Sequence, residues 1–259
     1  MVDGLVGSEM CIRDRYKCVV ALVGDSFLNI RKWLDERKLI GVKLGLTNCE
    51  IMLQRLNNPH LEFPSIHVAG TNGKGSLCVQ LSAIACANNL KVGLFTSPHL
   101  ITIEERIRIN GIPISPDDFD KFLNTIRDAS LISPVCNPTF FEVTFLLAML
   151  VFKENNIDRA IIETGLGGRL DSTRLVNADL CVITTISKDH TEFLGNTLEE
   201  IAFEKVGIHR TGVPLIISKS ENLSSSILKI ISDKVGMDLR IHETNNSLSP
   251  VSYTHLRAH

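Results

Sequence analysis

The segment SIHVAGTNGKGSLCVQLSAIACANN, residues Ser65 to Asn89, indicates the class of fold. Its first five residues, SIHVA, form a short apolar run with the composition of a buried strand. From Ser76 onward, apolar residues recur every three or four positions, as in a helix that buries one face. The glycine-rich stretch AGTNGKGS (Ala69–Ser76) separates the two. The segment therefore predicts a strand, a loop and a helix in that order, which is the arrangement of a phosphate-binding loop.

The loop carries the groups that hold a phosphate. Gly70, Gly73 and Gly75 allow a tight backbone turn that brings N–H groups close to phosphate oxygens. The start of the following helix adds a partial positive charge, and Lys74 adds a full one for the β- and γ-phosphates. We therefore predict that a nucleotide is bound by Asn72, Gly73, Lys74, Gly75 and Ser76.

The loop departs from the usual GxxxxGK(S/T) motif at two places. Val68 stands where the first glycine is normally found, and Gly75 separates Lys74 from Ser76. Taken alone, the motif does not establish ATP binding. A plain strand-to-helix turn stays open as an alternative, although such a turn explains the glycines and not the lysine.

Strand and helix patterns alternate along the rest of the chain. Apolar runs of strand length are found at Lys91–Phe95, Arg159–Glu163, Asp179–Thr185 and Val213–Ser218. Helical spacing is found at Ser26–Arg37, Cys49–Leu56, Pro116–Ala129, Phe140–Glu154, Leu198–Lys205 and Leu223–Val235. This alternation predicts an α/β fold, with a mostly parallel sheet flanked by helices on both faces. Ligands of such sheets bind beyond the carboxyl ends of the strands.

The composition limits the class of protein. The 259 residues are 44% hydrophobic, enough for a full core, and carry a formal net charge of −2. A small, evenly mixed charge gives no field that would attract nucleic acid or an anionic membrane, so we expect neither as a partner. The longest apolar stretch, Val143–Phe152, is shorter than the roughly 20 residues of a membrane span. The seven cysteines form no CxxC pair, which is typical of reduced thiols in a cytoplasmic protein.

Both ends of the sequence look foreign to the rest. VGSEMCIRDR (Val6–Arg15) and VSYTHLRAH (Val251–His259) lack periodicity and resemble translated adapter sequence. We therefore expect residues 1–15 and 250–259 to be non-native, and residues 16–249 to form one domain. We also expect the natural protein to continue beyond Pro250.

Seven sequence blocks resemble one enzyme family. In chain order they are HVAGTNGKGS (67–76), TSPHL (96–100), ERIRING (105–111), FFE (140–142), ETGLGGRLDST (163–173), DHTEFLG (189–195) and EKVGI (204–208). Their order and spacing resemble the folylpolyglutamate and dihydrofolate synthases, members of the Mur ligase superfamily, over residues 28–218. Several ordered blocks are more specific than a single loop motif.

The resemblance implies a P-loop central domain of the Mur ligase type and an ATP-dependent ligase. The implied reaction joins L-glutamate to a folate or to dihydropteroate through an acyl phosphate, with ATP and Mg²⁺ as cofactors and a monomeric enzyme. Three alternatives stay open: a cell-wall Mur ligase, another P-loop ATPase or kinase, and a nucleotide-binding module without ligase activity. The family's C-terminal glutamate-binding domain has no counterpart in these residues, so we expect this chain to bind Mg-ATP weakly at most and to fail to ligate.

The resemblance makes Ser97, Glu163 and His190 the magnesium ligands. Glu163 ends an apolar strand, so its carboxylate is expected at the ligand edge of the sheet, and Mg²⁺ prefers such oxygen ligands. His190 follows the next strand at the equivalent position. Because imidazole is an unusual partner for Mg²⁺, a loop histidine without a metal role stays open.

The resemblance assigns catalysis to Lys74, Lys205 and His190. In the family, the lysine that matches Lys205 is carbamylated, which converts a cation into an anion near the metal ions. We carry this modification over as a hypothesis. The alternative is a solvated lysine on a helix face.

The resemblance also places a folate or dihydropteroate pocket. Its residues are Thr139, Phe140, Phe141, Glu142, Leu170, Asp171 and Ser172, together with the stretch Leu44–Thr47. A phenylalanine would stack on the pterin ring and Asp171 would accept hydrogen bonds from its amino groups. Both aromatic residues also fit a plain core, which stays open. Thr47 and Asn48 stand where many members of the family carry a charge, and Arg106 and Arg108 are candidates for steering anionic groups or simply one polar strand face.

Overall fold

The computed structural model describes residues 30–218 and 223–242. The terminal segments that we expect to be non-native, 1–15 and 250–259, lie outside the described residues. So do the first four residues of the helix predicted from Ser26. The domain boundaries at 16 and 249 therefore stay predictions.

Helices and strands alternate in the order that the sequence predicts. The helices of the described part are α1 (30–38), α2 (Thr47–Arg55), α3 (Lys74–Ala87), α4 (Pro116–Ser130), α5 (Phe140–Glu154), α6 (Thr191–Leu194), α7 (Leu198–Val206) and α8 (Ser225–Val235). The strands are β1 (Ser65–Ala69), β2 (Val92–Phe95), β3 (Ile107–Ile109), β4 (Ile112–Pro113), β5 (Arg159–Glu163), β6 (Ala178–Ile183), β7 (Leu215–Ser218) and β8 (Leu239–His242). Within residues 30–218 and 223–242, every predicted helix and strand is present, and the bounds that fall there are shifted by a few residues at most. In the described residues, no helix combines the length and apolar character that crossing a bilayer requires.

The strands form one eight-stranded sheet in the order β4-β3-β2-β5-β1-β6-β7-β8. From β2 to β8 in this order, neighbouring strands run parallel. Only the β2–β3 and β3–β4 pairs are antiparallel. The prediction of a mostly parallel α/β sheet is confirmed.

The sheet is buried on both faces, and successive side chains along its central strands belong in turn to two apolar clusters. In β5, Ala160 and Ile162 belong to the larger cluster, which the helices α2, α4 and α5 share. Ile161, between them, belongs to the smaller cluster beneath α3. Side chains of a strand point to opposite faces in turn, so a continuous apolar run is what two covered faces require.

The hairpin of β3 and β4 lies at one edge of the sheet and was not predicted as such. Asn110 and Gly111 join the two strands with φ angles of 50° and 82°. Two positive φ values in a two-residue turn are typical of type I′ hairpins, for which Asn-Gly is the usual sequence. The signal was therefore present in the motif ERIRING.

Candidate active site

A cleft of about 390 Å³ opens beyond the carboxyl ends of the parallel strands. Lys74 of the phosphate loop lines it, together with Ser97 after β2 and His190 after β6. Its apolar wall is formed by Phe140 and Phe141 at the start of α5. The position at the carboxyl edge of the sheet is the one that the strand pattern predicts.

The phosphate loop has the predicted place between β1 and α3. Gly73 precedes the first helical residue with φ of 79°, and Lys74 begins the helix. The Lys74 ammonium group folds back onto its own loop, donating to the carbonyl oxygens of Gly70 (3.0 Å) and Thr71 (3.2 Å). Asn72, Gly75 and Ser76 lie beside it, so the structure brings the predicted nucleotide contacts together at the N-terminus of α3.

Residues after β6 hold the loop in shape. The Thr184 hydroxyl donates to the Asn72 carbonyl (2.7 Å), and the Asn72 amide donates to the Thr185 hydroxyl (3.0 Å). The Thr71 amide donates to the Thr185 carbonyl (2.9 Å). Sequence reasoning missed both threonines, although the pair at the end of an apolar strand was visible as a polar break.

Glu163 is a buried carboxylate beneath the loop. Its side chain is 4% exposed and its Oε2 accepts the Ser97 amide at 3.0 Å. Burial raises the pKa of Glu163, while the Ser97 amide and the charges of Lys74 and Arg106 act in the opposite direction. No other hydrogen-bond donor to this carboxylate is found in the described residues, so an oxygen lone pair remains for a cation. A hard divalent ion prefers such a carboxylate oxygen as a ligand. The Ser97 and Glu163 side chains lie at the same carboxyl edge of the sheet.

His190 lines the same cleft but is exposed. Its side chain is 54% accessible, and its Nε2 lies 3.7 Å from a carboxylate oxygen of Asp189. Its backbone adopts a left-handed φ of 47° at the start of α6. In residues 30–218 and 223–242, no three His, Cys, Asp or Glu side chains are grouped closely enough to hold a metal ion by themselves. A metal at this edge would therefore depend on the Ser97 hydroxyl and on ligand oxygens as well.

Lys205 is not a solvated lysine on a helix face, since it is only 3% exposed. Burial and, to a smaller extent, the positive charge of Lys74 lower the pKa of Lys205 to about 8, although Asp189 acts in the opposite direction. Beside Lys205, the loop GLGGR packs on the end of α7, where the Arg169 amide donates to the Glu204 carbonyl (2.9 Å). The Arg169 guanidinium also pairs with the Glu204 carboxylate at 2.8 Å.

Most of the predicted pterin residues line the cleft; the exceptions are Leu170 and, within the stretch Leu44–Thr47, Gly45, Leu46 and Thr47. Phe140 faces the Arg106 guanidinium, 5.2 Å from its ring centre, and Phe141 packs on Phe95 at 5.9 Å. Both rings are half-buried, so they serve the cleft and the core at once. The cleft is also lined by Thr139, Glu142, Asp171 and Ser172. The Leu170 side chain does not line the cleft, but the Leu170 carbonyl accepts a hydrogen bond from the Gly45 amide (3.3 Å).

The side chains of Thr139 and Glu142 form hydrogen bonds with backbone amides at the start of α5. The Glu142 carboxylate accepts from the Thr139 amide (2.6 Å), and the Thr139 hydroxyl accepts from the Glu142 amide (3.2 Å). This reciprocal pair is a capping box. The two side chains therefore position Phe140 and Phe141 by fixing where the helix begins.

Sequence reasoning missed part of the cleft. The segment before α2 enters it through Gly41, Val42 and Lys43 as well as the expected Leu44, while Thr47 begins α2. The remaining residues not singled out are Pro98, Gly165, Leu166 and Phe193, all inside quoted sequence blocks. Arg106 lies in the lining of the cleft, and burial lowers its pKa; its role in steering anionic groups stays a prediction.

Comparison with known proteins places the chain in a family. Residues 68–245 match the Mur ligase middle domain, and the chain belongs to that family. Within it, the chain is similar to dihydrofolate and folylpolyglutamate synthases: it is 39% identical over 208 residues to the Bacillus subtilis dihydrofolate synthase/folylpolyglutamate synthase, covering 79% of this chain and 48% of that protein. The chain thus spans about half the length of the curated relatives it matches.

Solved structures give the same assignment. E. coli FolC in complex with DHPP and ADP matches with a TM-score of 0.74 and 35% identity, over 82% of this chain and 51% of that one. A bifunctional folylpolyglutamate synthase/dihydrofolate synthase with Mn, AMPPNP and L-glutamate bound matches with a TM-score of 0.72 and 33% identity, over 83% of this chain and 51% of that one.

Proposed function

We propose that this chain supplies the nucleotide and pterin side of a ligase that uses Mg-ATP to join L-glutamate to a folate or to dihydropteroate. One observation carries the proposal: Lys74 of the phosphate loop lines the same cleft as Phe140, Phe141 and Asp171. A phosphate site and an aromatic pocket in one cleft suit a reaction between a nucleotide and a flat heterocyclic acid. The ligands of one related structure, ADP and DHPP, support this pairing, and those of the other, AMPPNP and L-glutamate, support glutamate as the second substrate.

The chemistry has two steps. A carboxylate oxygen of the pterin substrate attacks the γ-phosphorus of ATP, and ADP leaves, which gives an acyl phosphate. The amine of glutamate then attacks the acyl carbon and inorganic phosphate leaves, so an amide forms. Positioning and neutralisation of charge carry such a transfer, and no protein nucleophile is needed. Lys74 would leave its two loop carbonyls and donate to phosphate oxygens instead.

The metal side of the proposal concerns Ser97, Glu163 and His190. These residues would hold Mg²⁺ together with phosphate oxygens, and a bound Mg²⁺ supplies neutralisation of the phosphate charge during transfer. The Ser97 amide holds the Glu163 carboxylate in place at 3.0 Å. His190 is free to turn, since it is exposed at the rim of the cleft.

We further propose that Lys205 is carbamylated. The neutral amine attacks CO₂, a nitrogen–carbon bond forms and a proton is released, leaving an anionic carbamate. The lowered pKa of about 8 supports this step because the neutral amine is the reactive form. With ¹³C-labelled bicarbonate, NMR should show a carbamate signal that Lys205→Met lacks. A wild-type spectrum without that signal under saturating bicarbonate contradicts the modification.

The role of Lys74 is tested by nucleotide binding. Lys74→Ala should weaken the binding of AMPPNP with Mg²⁺ about 10- to 100-fold, which corresponds to loss of a charged hydrogen bond of about 1.5–3 kcal/mol. The matched control is Lys121→Ala on α4, which removes the same charge from an exposed ion pair with Glu154. Calorimetric titration of both variants and the wild type gives the three affinities. Equal affinities for wild type and Lys74→Ala overturn the assignment.

The substrate class is tested separately. A cell-wall Mur ligase would bind a UDP-sugar in place of a pterin, so titration with dihydropteroate and with a UDP-sugar separates the two readings. We expect binding of the pterin alone. A cytoplasmic location, a monomeric state and the lack of nucleic-acid and membrane partners stay predictions.

A further inference from the structure

A buried line of polar side chains runs from the core of the sheet to the cleft. His67, in the middle of β1, is fully buried, and its Nε2 lies 2.9 Å from the Thr173 hydroxyl. The Thr173 hydroxyl in turn contacts the Oδ1 atom of Asp171. Asp171 lines the cleft, whereas His67 and Thr173 lie behind it. The function proposed above uses only the last member of this line.

Contacts at both ends favour one direction for these hydrogen bonds. At the far end, the Arg210 guanidinium lies 3.5 Å from the Nδ1 atom of His67. A guanidinium can only donate, so this contact favours an unprotonated Nδ1 and a neutral ring with its proton on Nε2. Burial lowers the pKa of His67, and Arg210 and Arg174 lower it further, so the ring is neutral.

At the cleft end, the same direction follows from the carboxylate. An ionised Asp171 only accepts, so the Thr173 hydroxyl has to donate to it. The hydroxyl lone pair is then free to accept the Nε2 proton of His67. Arg210, His67, Thr173 and Asp171 thus form one chain of donors that ends on the carboxylate.

Arg210 is held firmly enough to set this direction. It donates to the carbonyl oxygens of Ile208 (2.7 Å) and Val176 (2.8 Å), and also to that of Arg174. Its position does not depend on the cleft, since the three carbonyl groups belong to the backbone just before β6 and just after α7.

Asp171 needs such support because it is buried. Burial raises the pKa of Asp171, and hydrogen bonds from Thr173 and Leu166 oppose that rise. The Leu166 amide donates to Oδ2 at 2.7 Å and the Thr173 amide donates to Oδ1 at 3.0 Å. These donors favour the ionised form of the buried carboxylate and hold it in one orientation.

We propose that His67 and Thr173 are positioning residues: they hold Asp171 ionised and oriented for the amino groups of the pterin, and Arg210 fixes the tautomer of His67 that makes this possible. The inference rests on the proposed function, because it concerns the affinity for the same pterin substrate. It adds His67 and Thr173, which lie behind the lining of the cleft, and the half-buried cation Arg210.

The test compares Thr173→Val with Thr173→Ser. Valine keeps the branched shape and removes the hydroxyl, whereas serine keeps the hydroxyl. Thr173→Val should weaken the binding of dihydropteroate about ten-fold, the size of one hydrogen bond to a charged group, and Thr173→Ser should restore it. The binding of Mg-AMPPNP should stay unchanged in both variants, because Thr173 does not line the cleft.

A second measurement does not depend on any variant folding. Long-range ¹H–¹⁵N NMR of the wild-type chain reports which ring nitrogen of His67 carries the proton. We expect the proton on Nε2, and the ¹³C signal of the Asp171 carboxyl group should be that of an ionised group at pH 7. A proton on Nδ1, or a protonated Asp171, overturns the inference even if Thr173→Val unfolds.

The outcomes separate the two proposals. If the wild type binds dihydropteroate and Thr173→Val binds it equally well, the positioning role is wrong and the proposed function stands. If the wild type binds Mg-AMPPNP but no pterin, the pterin half of the proposed function is wrong, and the inference falls with it. Weaker binding by Thr173→Val that serine restores supports both.

Discussion

Replacing Gly70 by alanine should disturb the phosphate loop more than any change of the same size elsewhere. Gly70 has φ of +147°, which side chains rarely adopt, and a Cβ atom there would lie 1.9 Å from the Thr184 hydroxyl oxygen. That hydroxyl donates to the Asn72 carbonyl at 2.7 Å. The alanine therefore strains the backbone and pushes away the side chain that holds the loop.

The expected cost has two parts. The backbone strain is about 1–3 kcal/mol. Displacing the Thr184 hydroxyl loses a hydrogen bond of about 1 kcal/mol, so Gly70→Ala should lower the free energy of unfolding by about 2–4 kcal/mol. The matched control is Gly212→Ala: Gly212 has φ of +81°, and no atom of the described residues lies within 4 Å of the position of its Cβ. The control isolates the backbone strain.

Urea unfolding of the wild type and four variants measures these terms. The four are Gly70→Ala, Gly212→Ala, Thr184→Ala and the double variant at Gly70 and Thr184. Removing the hydroxyl should relieve part of the clash, so the double variant should cost less than the sum of its single changes. Relief stays partial because the Thr184 Cβ and amide nitrogen each lie 3.1 Å away. The reasoning is refuted if Gly70→Ala costs no more than Gly212→Ala.

Three further predictions concern the buried side chains of Lys205, Thr139 and Glu163. In CO₂-free buffer, Lys205→Met should raise the free energy of unfolding at pH 7 by up to about 3 kcal/mol, since burial lowers the pKa of Lys205 to about 8. Between pH 8 and pH 10.5, Lys205 is protonated in the unfolded chain but largely neutral in the folded one. The stability of the wild type relative to Lys205→Met should therefore rise with pH across this range, and urea unfolding at its two limits measures the rise. Thr139→Ala should lower the free energy of unfolding by about 1 kcal/mol because the capping box is lost, and Thr139→Ser should lower it much less. Thermal unfolding measures both variants. Equal stabilities of Thr139→Ala and the wild type contradict the capping role. Glu163→Gln should weaken Mn²⁺ binding in the presence of AMPPNP at least about ten-fold by removing a charged ligand, measured by electron paramagnetic resonance, and unchanged affinity would remove Glu163 from the metal site.

Much of the fold could be predicted because the buried elements have strong patterns. The run RAIIE is apolar on both sides of the strand, and it forms β5 with the bounds expected. The edge strands could not be found in this way. β8 is mostly exposed and β4 has two residues, so neither carries a period that distinguishes it from a loop.

The site was predictable where chemistry is local and not where it depends on tertiary contacts. The loop around Lys74 could be found because glycines and a lysine have one strong interpretation between a strand and a helix. Lys205 looks like a solvated lysine in sequence, and only the tertiary structure shows that it is buried. The contact between His67 and Thr173 joins residues 106 positions apart, so no local pattern contains it.

The central claim is that one cleft takes both the nucleotide and the pterin. The most direct measurement is the ¹H line width of dihydropteroate bound to the chain with Mn²⁺-AMPPNP, compared with Mg²⁺-AMPPNP, because Mn²⁺ broadens only nearby protons. We predict broadening of the pterin signals with Mn²⁺ in the wild type and its loss in Lys74→Ala. Pterin that binds with equal line widths in the presence of either metal would contradict the account.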